Sequence, residues 1–208
     1  YGNPIAPRRL NNKRFDWLNL EFRILGSINR GHFFSQSIIP QNKKMIYSLD
    51  MSEKLGPVIT GFGKYAPEDV RDNRYLEQTL GMKDGDIRRK TGIERRHIVS
   101  FEQATSDLAT LAAREALVMA DLEPENIDHI TIATFTPDML MPSTACYVQR
   151  NLKAVNAGAH DELAACSGFI YALAGDYASH MAGMRENSLV IGAETMSRIT
   201  NPRDRNTA

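Results

Sequence analysis

The residues best suited to chemistry sit in one short stretch, Asp161-Glu-Leu-Ala-Ala-Cys166-Ser-Gly-Phe169. Glu162 to Ala165 reads as a buried strand end, Cys166-Ser167-Gly168 breaks it, and helical spacing follows through Tyr171 and Leu173. A cysteine at such a strand-to-helix turn points into the cleft above the sheet. The free N–H groups and positive dipole end of the new helix stabilise a thiolate there, and the thiolate is the form that attacks a carbonyl carbon. Ala164, Ala165 and Gly168 are small, as a close approach between backbone and substrate requires. The same pattern fits a buried core thiol, because free cysteine is among the most buried residue types. Local pattern alone leaves nucleophile and core thiol equally open.

Other groups point to chemistry less directly. From Lys83 to His97 the chain is densely charged, with five Arg or Lys residues around a Thr91-Gly92 turn. Such a run is ordinarily a solvated face, and it also suits a phosphate-bearing ligand. Cys146 has no turn around it and is expected in the core at helical spacing with Val148 and Leu152. Two cysteines make no disulfide framework, and no cluster has zinc-ligand spacing. The five histidines, His32, His97, His129, His160 and His180, are scattered through the sequence.

The elements that must position these groups begin near Pro57. Residues 1–50 show no sustained periodicity; they hold 8 Lys and Arg against 3 Asp and Glu, whereas the remainder holds 17 against 22. Tyr1 is not an initiator, and residues 1–50 are expected to be a disordered or non-native extension upstream of Met45 or Met51, with residues 15–25 able to make one short strand or helix. Residues 51–208 are expected to form the domain that carries Cys166. Val58 to Gly63 reads as a β-rich run. A helix capped by Asp72 or Asn73 and closed by Gly81 follows. Ala109, Ala112, Ala113, Ala116, Leu117 and Ala120 mark a helix from about Ser106 to Asp121 with a close-packing face. Ile130 to Thr134 and Asn187 to Gly192 are buried strands. Ser143 caps a helix carrying Cys146, and the helix from Phe169 to about Met181 is expected to be buried for much of its circumference. Alternating strands and helices make this an α/β protein with a parallel or mixed sheet covered on both faces. No apolar run approaches the roughly 20 residues of a membrane span. A uniformly basic nucleic-acid-binding surface is not supported.

Four motifs then stand in order: Thr91-Gly-Ile-Glu-Arg-Arg-His97, Pro142-Ser-Thr-Ala-Cys146, Leu163-Ala-Ala-Cys-Ser-Gly-Phe169, and Gly192-Ala-Glu-Thr-Met-Ser-Arg-Ile199 with Asp204-Arg205. Together they resemble β-ketoacyl-acyl-carrier-protein synthase III, a thiolase-fold condensing family, from about Val58 to Ala208. The resemblance implies a layered α/β/α architecture that is duplicated in the whole enzyme, of which this chain is expected to be the N-terminal half. It implies that Cys166 accepts an acyl group from a short acyl-coenzyme A, and that malonyl-acyl-carrier protein is then condensed with loss of carbon dioxide. No permanently bound cofactor is implied; acyl-coenzyme A is a substrate.

By the same resemblance, Arg205 packs on the coenzyme A adenine, and Lys90 and Thr91 line the coenzyme A channel. Asp86 falls where an aromatic partner for the base is usual, and Lys90 where an arginine is common. Met141 and Met196 are expected at the acyl pocket, Met141 on a loop that reaches into a dimer partner. The family's histidine and asparagine lie in the other half, so condensation by the 208 residues alone is not expected. A cytoplasmic homodimer is the expected whole. The rival readings are another thiolase-fold condensing enzyme, such as a secondary-metabolite or long-chain ketone synthase, and a non-catalytic partner subunit.

Overall fold

The computed structural model describes residues 56–205 and 207, together with the backbone of Ile24 and Leu25. In chain order the elements are β1 (Ile24–Leu25), β2 (Phe62–Gly63), β3 (Val70–Asp72), α1 (Asn73–Thr79), α2 (Asp86–Thr91), β4 (Arg95–His97), α3 (Thr105–Ala120), β5 (His129–Ala133), α4 (Thr144–Leu152), β6 (Gly158–Glu162), α5 (Gly168–Met181), β7 (Ser188–Gly192) and α6 (Met196–Ile199). They belong to two compact units, one holding Val70–Arg96 and the segment from Asn201, the other β1, residues 56–69 and His97–Thr200.

The larger unit is built on a five-stranded mixed sheet of order β2-β1-β7-β5-β6. β5 runs parallel to both β6 and β7, with Ile130 opposite Ala159 and Leu189. β1 is antiparallel to β7 and β2. Apart from Ile24 and Leu25, the segment expected to be an extension lies outside the described residues.

Strand side chains alternate between faces, and the two faces are unequally filled. Ile130, Ile132, Leu189 and Ile191 meet the alanine face of α3 and Val148 and Leu152 of α4 in one large core. On the opposite face Ala133 and Val190 meet Ala172, with Phe169 and Leu173 partly buried beside them. The result is a helix–sheet–helix sandwich. The α3 face permits the expected close approach: a Cβ on Gly63 would lie 2.2 Å from the Ala112 carbonyl oxygen. Backbone of the β2 segment therefore rests directly on the helix.

Three sequence expectations need correction. α5 buries only Gly168, Ala172, Asp176 and His180, while Ile170, Tyr171 and Tyr177 are exposed, because only one of its sides meets the sheet. Cys146 is half-buried rather than in the core; it lies in the first turn of α4, where its Sγ is 3.2 Å from Ser143 Oγ. Ser143 occupies the N-cap position, but the cap itself comes from Asp161 on β6, whose carboxylate accepts from Thr144 N at 2.7 Å and Ala145 N at 2.8 Å.

The smaller unit organises the charged stretch. Asp72 caps α1 by accepting from Tyr75 N at 3.3 Å. The buried Glu77 carboxylate accepts from Gly85 N at 3.1 Å and Ile87 N at 2.9 Å, which fixes the start of α2. Gly92, at φ 79°, closes α2 in the left-handed region. β3 and β4 form a two-stranded sheet.

Candidate active site

Cys166 is exposed and sits in a 3₁₀ turn, Ala165–Ser167, between β6 and α5. The strand ends at Glu162, paired with Ala133. Residues 163–165 have left the ladder and are not the buried strand end that the sequence pattern suggests; Leu163 is exposed. The turn is tight: Ser167 N donates to Ala164 O at 3.0 Å, and Gly168 N donates to Ala165 O. It requires Ala165 to adopt φ 44°, a left-handed conformation that costs an L residue with a Cβ about 1–2 kcal/mol. Such strain persists where the surrounding structure over-determines it and clusters at functional positions.

Two glycines seat the helix behind the cysteine. A Cβ on Gly168 would stand 3.3 Å from Ala133 Cβ, and one on Gly192 would stand 3.3 Å from the Phe169 ring. The first turn of α5 is thereby pressed onto the C-terminal ends of β5 and β7. The leading N–H groups of a helix have no acceptor within it, so the cysteine stands beside donors that favour negative charge.

Next to this elbow lies a polar frame, of which the sequence motifs contain Glu194, Thr195 and Arg198 without revealing their roles. The Glu194 carboxylate accepts from Phe135 N at 2.9 Å, from Thr136 N at 3.0 Å and from Thr134 Oγ1 at 3.2 Å, and also from Thr136 Oγ1. Thr195 N donates to Thr136 Oγ1 at 2.9 Å, and Thr105 Oγ1 donates to Thr136 O at 2.6 Å. Thr134 N donates to Glu162 O at 3.2 Å. One carboxylate thus locks the segments that leave β5 and β7. Arg198 of α6 donates to the carbonyls of Phe101 and Gln103, which pins the segment before α3.

The other predicted positions fall as follows. Met141 is 84% exposed and Met196 39% exposed, both in the unit that carries Cys166. Lys90, Thr91 and Arg205 are exposed residues of the smaller unit. The Thr91 hydroxyl is engaged locally, donating to Ile87 O at 2.7 Å and accepting from Ile93 N at 3.1 Å. Arg89 pairs with Asp86 at 2.5 Å and Arg88 with Glu94 at 2.8 Å, so part of the charged run is a solvated face neutralised within its own turn.

The described histidines are engaged elsewhere: His97 Nδ1 lies 2.6 Å from Pro67 O, His129 Nε2 lies 2.9 Å from His160 Nδ1, and His180 Nε2 lies 2.8 Å from Ser188 Oγ. Burial and the nearby Arg185 guanidinium push the His129 imidazole down to about 4. Among the described residues no group of three or more His, Cys, Asp or Glu could hold a metal ion, and no helix is long and apolar enough to cross a membrane.

An exposed cysteine follows a strained residue at the C-terminal edge of a sheet sandwiched between helices, in an α/β domain. Comparison with known proteins narrows this. The family model for 3-oxoacyl-[acyl-carrier-protein (ACP)] synthase III matches residues 160–208. The β-ketoacyl-[acyl-carrier-protein] synthase III of Caldanaerobacter subterraneus subsp. tengcongensis is 52% identical over 157 residues, covering 76% of this chain and 47% of that protein. The crystal structure of 3-oxoacyl-[acyl-carrier-protein] synthase III from Aquifex aeolicus matches with a TM-score of 0.69 at 45% identity, covering 72% of this chain and 48% of that one. A priming β-ketosynthase from the R1128 polyketide biosynthetic pathway matches at TM-score 0.68 and 29% identity, over 70% and 44% of the two chains. The chain belongs to the β-ketoacyl-acyl-carrier-protein synthase III family. It spans about half the length of the curated relatives it matches.

Proposed function

We propose that the whole protein is an acyltransferase that initiates fatty acid synthesis, with Cys166 as the acyl-accepting nucleophile. The observation that carries this reading is the exposed cysteine on its strained turn at the start of α5, in a chain half identical to synthase III proteins. The Cys166 thiolate attacks the thioester carbonyl of a short acyl-coenzyme A; the carbon–sulfur bond to coenzyme A breaks, and free coenzyme A leaves with the proton. The backbone N–H of Cys166 is a natural donor to the oxyanion of that tetrahedral intermediate. Malonyl-acyl-carrier protein then loses carbon dioxide, and its carbanion attacks the acyl-enzyme to release 3-oxoacyl-carrier protein and the free thiol.

Lys90, Thr91 and Arg205 are assigned to coenzyme A, with Arg205 against the adenine, and Met141 and Met196 to the acyl pocket. These assignments rest on motif position. No permanently bound cofactor is needed. The working form is a cytoplasmic homodimer, with Met141 presented to the partner.

The test is incubation with acetyl-coenzyme A followed by peptide mass spectrometry. An acetyl adduct on Cys166 that disappears in Cys166→Ala is the expected result. Folded protein that takes no adduct from any member of an acyl-coenzyme A panel would instead favour a non-catalytic partner subunit. Adducts confined to long-chain donors would favour a ketone-forming condensing enzyme.

A further inference from the structure

α5 is held to the sheet along one stripe, Gly168, Ala172, Asp176 and His180. The first two are small and fit closely, and the larger Phe169 and Leu173 beside them are only partly buried, so apolar packing offers a limited ridge against sliding along the axis. The other two are polar and almost fully buried: Asp176 and His180 are each 1% exposed. They face Ser188, itself fully buried at the start of β7.

The donors in this cluster can be assigned. Ser188 Oγ donates to Asp176 Oδ2, and Arg185 from the turn before β7 donates to Asp176 Oδ1. The serine proton is thereby used, so the His180 Nε2–H donates to Ser188 Oγ at 2.8 Å, with Asp176 Oδ2 3.4 Å away. The turn holding Arg185 is itself fixed, because Asp128 accepts from Glu186 N at 2.7 Å and Asn187 N at 3.3 Å. Directional bonds between charged, buried partners tolerate far less displacement than apolar contact.

We infer that Asp176 is a positioning residue for Cys166: with Ser188, Arg185 and His180 it sets the axial position of α5, and so the place of the thiol and first-turn N–H groups at the helix's other end. The inference rests on Cys166 being the acyl acceptor. About 15 Å of helix separates the two residues. Asp176 is buried and its charge is offset by the paired Arg185, so it acts through the helix and not through a net charge at the thiol.

The experiment compares Asp176→Asn, Ser188→Ala and Ser188→Thr with the parent in the full chain, all in a Cys146→Ser background. It measures iodoacetamide alkylation of Cys166 from pH 5 to 9 alongside thermal melting. Ser188→Ala changes no charge. It is expected to slow alkylation at pH 7 about fivefold or more in the folded fraction, since ångström-scale misplacement carries rate costs up to about a hundredfold. Ser188→Thr keeps the hydroxyl and is expected to retain the parental profile. Asp176→Asn is expected to behave like Ser188→Ala. Ser188→Ala that melts earlier yet keeps the parental pH profile and rate would show the cluster to be structural only and overturn the inference. Acetyl-coenzyme A labelling is run in parallel: a parent that alkylates but never acylates sinks the reading of Cys166 as acyl acceptor, and leaves the effect on thiol position standing on its own data.

Discussion

Ala165 holds a left-handed backbone at φ 44° immediately before the cysteine. Glycine there removes the Cβ conflict but enlarges the unfolded ensemble, so Ala165→Gly is expected to stabilise by no more than about 1 kcal/mol. Ala165→Val, with a branched Cβ, is expected to cost about 2 kcal/mol. Denaturant titration of both variants checks the pair. At His129 the folded imidazole titrates at about 4, against 6.5 for the unfolded residue, mainly through burial. The folded state therefore binds fewer protons than the unfolded chain, and the contribution is complete above pH 6.5 and lost as pH falls towards 4. Unfolding midpoints over that window should decline less steeply in His129→Gln than in the parent; parallel declines would contradict this. Cys166 was legible in the sequence as a choice between two roles, and exposure settles its surroundings in favour of accessibility. The twist at Ala165 was not legible, because alanine carries no signature of positive φ. Cys146 misled for a related reason: helical spacing reports which side of a helix a residue lies on, but not how far that side is covered.

Among the elements, the helices were readable wherever an apolar period ran long enough. α3 occupies Thr105–Ala120 against an expected Ser106 to Asp121, and its alanine face packs as closely as the spacing required. Gly63→Ala tests that closeness. The new methyl meets backbone at Ala112, which cannot rotate away, and a loss of about 2–3 kcal/mol is expected by thermal unfolding. α2 escaped the sequence because only Ile87 in it is buried; its boundaries come from a distant carboxylate, Glu77, and from Gly92. The cap of α4 escaped for the same reason, since Asp161 reaches it across space from a strand. Asp161→Ala should cost about 1–2 kcal/mol, whereas Ser143→Ala should cost less, reversing the order that the local pattern suggests. Circular dichroism melts of the two variants rank them.

At the scale of the whole molecule, the central strands β5 and β7 were legible as runs of apolar and β-branched residues between helices, whereas β6, Gly158–Glu162, holds no β-branched residue and was not. The pairing of Ile24 and Leu25 with β7 was not, because a two-residue strand carries no period. The sheet's two faces are filled to different depths, with an extensive aliphatic core under α3 and α4 and only Ala133 and Val190 of the sheet meeting Ala172 under α5. This imbalance gives the fold a built-in order of opening. Amide protons of α5 should exchange with solvent deuterium through local excursions far smaller than global unfolding, while those of α3 and β5 should exchange only when the whole unit opens. Hydrogen–deuterium exchange of the full chain would show the two classes directly, and equal protection in α3 and α5 would refute the ordering. On that ordering, Cys166 is expected to ride on the part of the domain first to loosen.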